Sequence, residues 1–188
     1  MERVYYADIE SPIGTIWAAA TERGLFQVDL PRPEADFLES LKRRIDARVI
    51  HDPMRLGALR GMLEAYFNGE RVAFELRLDL RGTDFQRAVW RSIYGIPHGR
   101  LSSYGRLAAA VGRPRAARAV GNAVGANELA IVVPCHRVVR SDGSLGGFGN
   151  GLELKRYLLG VEGVLPRVEV GEAEHPIRRG DLLRHFHG

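Results

Sequence analysis

Thr83-Asp84-Phe85-Gln86 constrains the fold of this chain more than any other stretch. A threonine followed three residues later by glutamine, ahead of Phe85, Val89, Trp90 and Ile93 at helical spacing, marks a helix start closed by a capping box. It divides the 188 residues into two kinds of pattern. Upstream, residues 3–30 read as strands: VYYADI, the turn SPIG, then TIWAAAT and LFQVDL around the turn ERG. Helices are predicted over 34–47, from Phe37, Leu38, Leu41 and Ile45, and over 53–67, with Asp52 as N-cap and Pro53 at the first helical position. FELRLDL at 74–80 reads as a strand or an extended linker. Downstream, Ser103 caps a short helix that ends at Gly112, and Pro114 starts RAARAVGNAV. Two short helices around a glycine-containing turn form the helix-turn-helix pattern. A strand at 131–133, a glycine-rich loop (SDGSLGGFGNG) and a last helix over 152–160 follow. The expected class is α/β (α+β): a small N-terminal antiparallel-sheet domain (1–80), a mainly helical domain with a helix-turn-helix (81–163) and a C-terminal extension (164–188). The extension is polar, with Pro166 and Pro176, and partial disorder is expected there.

Charge follows the same division. Residues 1–80 carry 11 basic and 14 acidic side chains, a net of −3, whereas residues 81–160 carry 12 and 4, a net of +8. A basic block behind an acidic one points to a polyanionic partner for the second. All cations but Lys42 and Lys155 are arginines, which suit bidentate phosphate contacts and stacking on bases. Arg113, Arg115 and Arg118 are predicted on the second helix of the pair, with Ala116, Ala117 and Ala119 between them. Small residues let a helix lie close against a groove, although a basic helix face is ordinarily a solvated one.

No apolar run approaches the ~20 residues of a membrane helix. MERVYYADIE lacks the basic start and apolar stretch of a secretion signal, so the cytoplasm is the expected compartment and no membrane partner is expected. Cys135 is the only cysteine, which excludes an internal disulfide and the multi-thiolate zinc sites. A lone cysteine is ordinarily a small buried hydrophobe. Here Pro134 stops the preceding run, His136 is adjacent, and Arg137 and Arg140 add positive charge that favours thiolate. Neighbours in an extended segment point opposite ways, so a turn after Pro134, or a bridging water, must bring the imidazole to the thiol. A thiolate-generating histidine needs an orienting acceptor; Asp142 and Glu162 are the nearby acids, and the residues alone do not choose between them.

PCHRV, preceded by Asn127 and followed by SLGGFGNGLELKRYLLGVEG, resembles the O6-alkylguanine-DNA alkyltransferase family. The resemblance spans about 83–163, and SPIGTIWAAATERGLFQVDL is similar to the family's N-terminal domain with less specificity. It implies single-turnover repair of double-stranded DNA: a thiolate takes the alkyl group from O6-alkylguanine, with O4-alkylthymine as a second candidate substrate, after the base is flipped out. On that resemblance Cys135 is the acceptor, His136 a base working through water, and Glu162 its orienting group. Asn127 ties down the turn, and Tyr104 sits at the target nucleotide with its hydroxyl toward the base. Arg118 fills the vacated stack, and Ser103, Arg113, Arg115 and Ala117 lie along the DNA. Val138, Phe148, Gly149 and Asn150 form the base pocket. No metal or cofactor is implied, and a monomer is expected. Phe148 cannot donate the hydrogen bond of the tyrosine common at its position, Gly149 lacks the hydroxyl of some relatives, and Asn150 bears on which alkyl groups fit. Glu128 and Ala130 replace prolines, which implies a less rigid turn. Two other readings are a sensor that binds alkylated bases without repair, against which Cys135 argues, and a helix-turn-helix regulator with a sensing thiol.

Overall fold

The computed structural model describes residues 1–165 and 185. The chain forms two compact units: Met1–Arg81 with Glu128–Val132, and Gly82–Asn127 with the described residues from Val133 onward.

The first unit is built on a four-stranded sheet of order β3-β2-β1-β4, from β1 (Glu2–Ile9), β2 (Ile16–Thr21), β3 (Gly24–Asp29) and β4 (Ala47–His51). The hairpins at SPIG and ERG pair β1 with β2 and β2 with β3 antiparallel, as their turn signals predict. β4 adds one parallel pair to this antiparallel sheet, joining β1 from Glu2 opposite Ala47 to Tyr6 opposite His51. The helix expected over 34–47 stops accordingly. α1 covers Glu34–Arg44, and Ile45 is already extended at φ −150°. A parallel pair requires a crossover, and α1 is that crossover from β3 to the far edge. Its Phe37 and Leu41 pack with Val4, Ala19, Phe26 and Ile45 on one face of the sheet.

The helix expected over 53–67 is a 3-10 turn (Pro53–Leu56) followed by α2 (Gly57–Phe67). Asp52 makes no side-chain capping bond; its N–H donates to Tyr6 O, continuing the sheet, and its carboxylate faces Arg55. Residues 74–80 form an extended strap that meets β3 at one bridge, Leu25 with Leu78. Gly24 is required there, because a Cβ would lie 2.3 Å from Arg77 O. Residues 128–130 reach the same strand, with Val28 N–H donating to Glu128 O and Ala130 N–H to Val28 O.

In the second unit α3 (Asp84–Tyr94) begins at the expected capping box, with Val89, Trp90 and Ile93 buried and Phe85 half-buried. α4 (Tyr104–Ala110) is capped by the Ser103 hydroxyl, which accepts from Arg106 N–H at 3.2 Å. It closes in a Schellman motif: Gly112, at φ +72°, donates to Ala109 O, and Arg113 N–H donates to Ala108 O. That closure, and a turn from Arg113 to Ala116, delay α5 to Ala117–Gly125. Arg113 and Arg115 therefore lie in the turn and not on the second helix, where only Arg118 of the three remains. Trp90 Nε1–H donates to Ala123 O at 2.8 Å and binds α3 to α5. Two short strands absent from the sequence reading, β5 (Ser102–Ser103) and β6 (Val138–Val139), pair in parallel. α6 (Leu152–Val161) packs Leu159 against Leu101, Val139, Leu145 and Val164. The predicted disorder beyond Leu165 lies outside the described residues, apart from His185, whose carbonyl accepts from Leu101 N–H.

Candidate active site

The β-branched run before the cysteine does not form the strand its composition predicts. Val132 N–H donates to Ala130 O across Ile131, which sits at φ +68°, a conformation rarely adopted by β-branched side chains. Pro134 then takes φ −79°, ψ 68°, and Cys135 N–H donates to Val133 O at 2.8 Å. This is an inverse γ-turn, the tightest reversal available to a chain. Asn127 holds it from outside through Nδ2–H to Val133 O at 2.8 Å. Cys135–Arg137 follow as a single 3-10 turn. Three residues per turn separate neighbouring side chains by about 120°, not the 180° of a strand. Cys135, His136 and Arg137 therefore fan out from one turn.

His136 and Arg137 converge on one acid, Glu162, the residue after α6. His136 Nε2 lies 2.6 Å from Oε1, Arg137 Nε donates to both oxygens at 2.9 and 3.1 Å, and Gly99 N–H donates to Oε2 at 3.0 Å. Burial by itself would raise the Glu162 carboxyl; the charges and hydrogen bonds of His136 and Arg137 outweigh it and hold the carboxyl far below its ordinary range. An ionised carboxylate only accepts, so the network assigns the imidazole proton to Nε2. Burial lowers the His136 pKa and keeps the ring neutral, with Nδ1 as its basic nitrogen. Asp142 instead accepts from the N–H and hydroxyl of Ser144 in a local turn.

Cys135 is only 9% exposed, and that burial raises its pKa. A hydrogen bond from Asn127 and the charge of Lys155 pull the other way without prevailing. The expected contribution of Arg137 to the thiolate is corrected: its guanidinium is taken up by Glu162 and by Ile96 O. The resting group is a thiol.

The thiol opens on a cleft of about 250 Å³ lined by Tyr104, Val124, Asn127, Phe148, Gly149 and Asn150, with Gly121, Gly125 and Gly147. Tyr104, the first residue of α4, is half-buried, and burial and the nearby Cys135 raise its hydroxyl pKa. Its ring is flanked by glycines: a Cβ at Gly146 would lie 3.1 Å from Oη, and one at Gly121 3.9 Å from Cδ1. Val138 does not line the cleft; it is fully buried and its carbonyl accepts from Lys155. Arg113, Arg115 and Arg118 are exposed, Ala117 is half-buried at the start of α5, and Ser103 is buried as the cap of α4. Arg113 stacks over Phe85, 5.1 Å from the ring centroid. Among the described residues no cluster of His, Cys, Asp or Glu suits a metal ion.

A family model described as "6-O-methylguanine DNA methyltransferase, DNA binding domain" matches residues 84–164, and one described as "6-O-methylguanine DNA methyltransferase, ribonuclease-like domain" matches residues 4–80. The chain belongs to the 6-O-methylguanine DNA methyltransferase family. A methylated-DNA–protein-cysteine methyltransferase of Methanosarcina barkeri is 44% identical over 85% of this chain and 97% of its own. One from Mycobacterium tuberculosis is 42% identical over 85% of this chain and 92% of its own. The crystal structure of Mycobacterium tuberculosis OGT in complex with DNA has a TM-score of 0.73 at 42% identity, covering 84% of this chain and 92% of that one. The two-domain α+β fold is thus shared with structurally characterised members of the family.

Two residues of this methyltransferase's site escaped the sequence reading. Arg137 does not serve the thiol; its guanidinium holds Glu162. The signal for Lys155 is its helical face, shared with the buried Leu158 and Leu159, where a lysine demands an explanation.

Proposed function

We propose that this methyltransferase repairs double-stranded DNA by accepting the alkyl group of O6-alkylguanine on Cys135, acting as a monomer. The observation that carries the reading is the lone thiol opening on a 250 Å³ cleft from the same 3-10 turn that holds the His136–Glu162 pair. Alkyl transfer in one turnover needs a nucleophile, a base and a closed pocket, and no second thiol is required to release the product.

Glu162 orients the neutral imidazole, and His136 Nδ1 takes the Cys135 proton through a water molecule. The sulfur attacks the alkyl carbon: the S–C bond forms as the C–O6 bond breaks, and its electron pair passes to the guanine. The Tyr104 hydroxyl, at the cleft wall, donates to the base as that charge develops. O6 is shielded in a stacked duplex, so the nucleotide must rotate out, at a few kcal/mol of lost pairing and stacking. Arg118, exposed on α5, fills the vacancy, while Arg113 and Arg115 contact phosphates from the preceding turn. Affinity for DNA therefore falls with salt.

Intact-mass measurement after incubation with O6-methylguanine DNA tests the reading. One added methyl, mapped to Cys135 and absent in Cys135→Ser, is expected. An unmodified protein still bound to the lesion would replace repair by sensing.

A further inference from the structure

Lys155 is fully buried on α6, and among the described residues no carboxylate forms an ion pair with it. Its Nζ donates to three backbone carbonyls: Val138 O at 2.7 Å, Leu145 O at 2.6 Å and Gly147 O at 3.2 Å. An ammonium has three N–H donors and no acceptor, so the cage matches it one for one. The acceptors lie on different parts of the site. Val138 closes the turn that carries Cys135. Leu145 and Gly147 flank Gly146, the residue against the Tyr104 ring, and Gly147 itself lines the cleft with Phe148 and Gly149.

We propose that Lys155 is a positioning residue for alkyl transfer: its ammonium latches the 145–149 loop to the nucleophile turn, and the cleft wall stays closed only while the amine keeps its proton. This rests on the transfer reading above. The groups facing Lys155 electrostatically are Cys135, Arg140 and His136. Burial, the largest influence, lowers its pKa to about 8; a Cys135 thiolate raises it and Arg140 lowers it. Loss of the proton leaves two N–H groups for three carbonyls and removes the charge that strengthens all three bonds. A thiol acting alone reacts faster as pH rises. The latch imposes the opposite limb, a rate that falls as pH rises through about 8.

Single-turnover methyl transfer from O6-methylguanine DNA, measured across neutral to alkaline pH, tests this. Wild type is expected to show the falling alkaline limb. Lys155→Met, with its fold checked by circular dichroism, is expected to transfer roughly 10- to 100-fold more slowly near neutrality, consistent with ångström-scale misplacement of the wall, and to lack that limb. A folded Lys155→Met with unchanged rate and pH profile would overturn the latch. If the variant does not fold, hydrogen exchange of the Gly146–Gly149 amides in wild type decides, after correction for intrinsic pH dependence. Protection lost above about pH 8 supports the latch, and constant protection overturns it. A wild type that transfers no methyl at neutral pH yet loses loop protection would refute the transfer reading and leave the latch standing.

Discussion

Replacing Glu162 by glutamine isolates a buried carboxylate shared by His136 and Arg137. The carboxylate accepts from His136 Nε2 at 2.6 Å, from Arg137 Nε at 2.9 Å and Nη2 at 3.0 Å, and from Gly99 N–H at 3.0 Å. Glutamine supplies one accepting oxygen and turns an NH₂ toward groups that are themselves donors. Arg137 keeps the Ile96 carbonyl and at most the one amide oxygen, neither of which carries a charge to balance it. Breaking a buried ion pair by removing one partner costs about 3–5 kcal/mol. For a protein of this size that is a fall of roughly 6–20 °C in the melting temperature. The pH dependence has a definite sign. Glu162 titrates lower folded than unfolded, so its stabilisation is complete above the unfolded value of 4.5 and fades as pH falls below it. The gap between wild type and Glu162→Gln should be full near neutrality and narrower at about pH 3.5. Urea unfolding at both pH values, followed by Trp90 fluorescence in a Trp17→Phe background, measures it. Methyl transfer should slow by roughly 10²-fold, because the imidazole loses its fixed tautomer. A loss under about 1 kcal/mol, or a gap independent of pH, would refute the assignment of Glu162 as an ionised anchor.

Two further substitutions probe the cleft and the DNA face. Gly146→Ala places a Cβ 3.1 Å from Tyr104 Oη at φ +72°; it should cost about 1–3 kcal/mol and slow reaction with free O6-benzylguanine, as read by urea denaturation and single-turnover kinetics. Arg118→Ala should slow repair of duplex substrate more than reaction with free O6-benzylguanine, since only the duplex requires flipping; equal losses in the two assays would remove Arg118 from that role.

Two helix starts were legible because their capping signals are local. Thr83 with Gln86, and Ser103, place their caps where the structure has them. What escaped depends on contacts distant in sequence. Ile45 continues the periodicity of α1, yet the chain is already extended there and Ala47–His51 pairs with β1 as a strand. Ile131, Val132 and Val133 have strand composition, but two tight turns occupy that segment and leave no ladder. Pro114 is a good first helical residue, and it lost to the closure at Gly112, which used the N–H of Arg113 to seal the previous helix. Within the site, Cys135 and His136 announced themselves by adjacency. Glu162 was a candidate only beside Asp142 until the resemblance chose it, and nothing local links Lys155 on α6 to a turn some twenty residues earlier.

That separation governs how the site comes into being during synthesis. Glu162 lies 26 residues beyond His136, and a ribosome adding ~5–20 residues per second needs a second to several seconds to cover that span. Until α6 emerges and docks, Cys135 is an ordinary thiol on a nascent chain, with an unoriented histidine beside it and no closed wall over it. The Lys155 and Glu162 contacts around Cys135 and His136 therefore form only after α3, α4 and α5 have been synthesised.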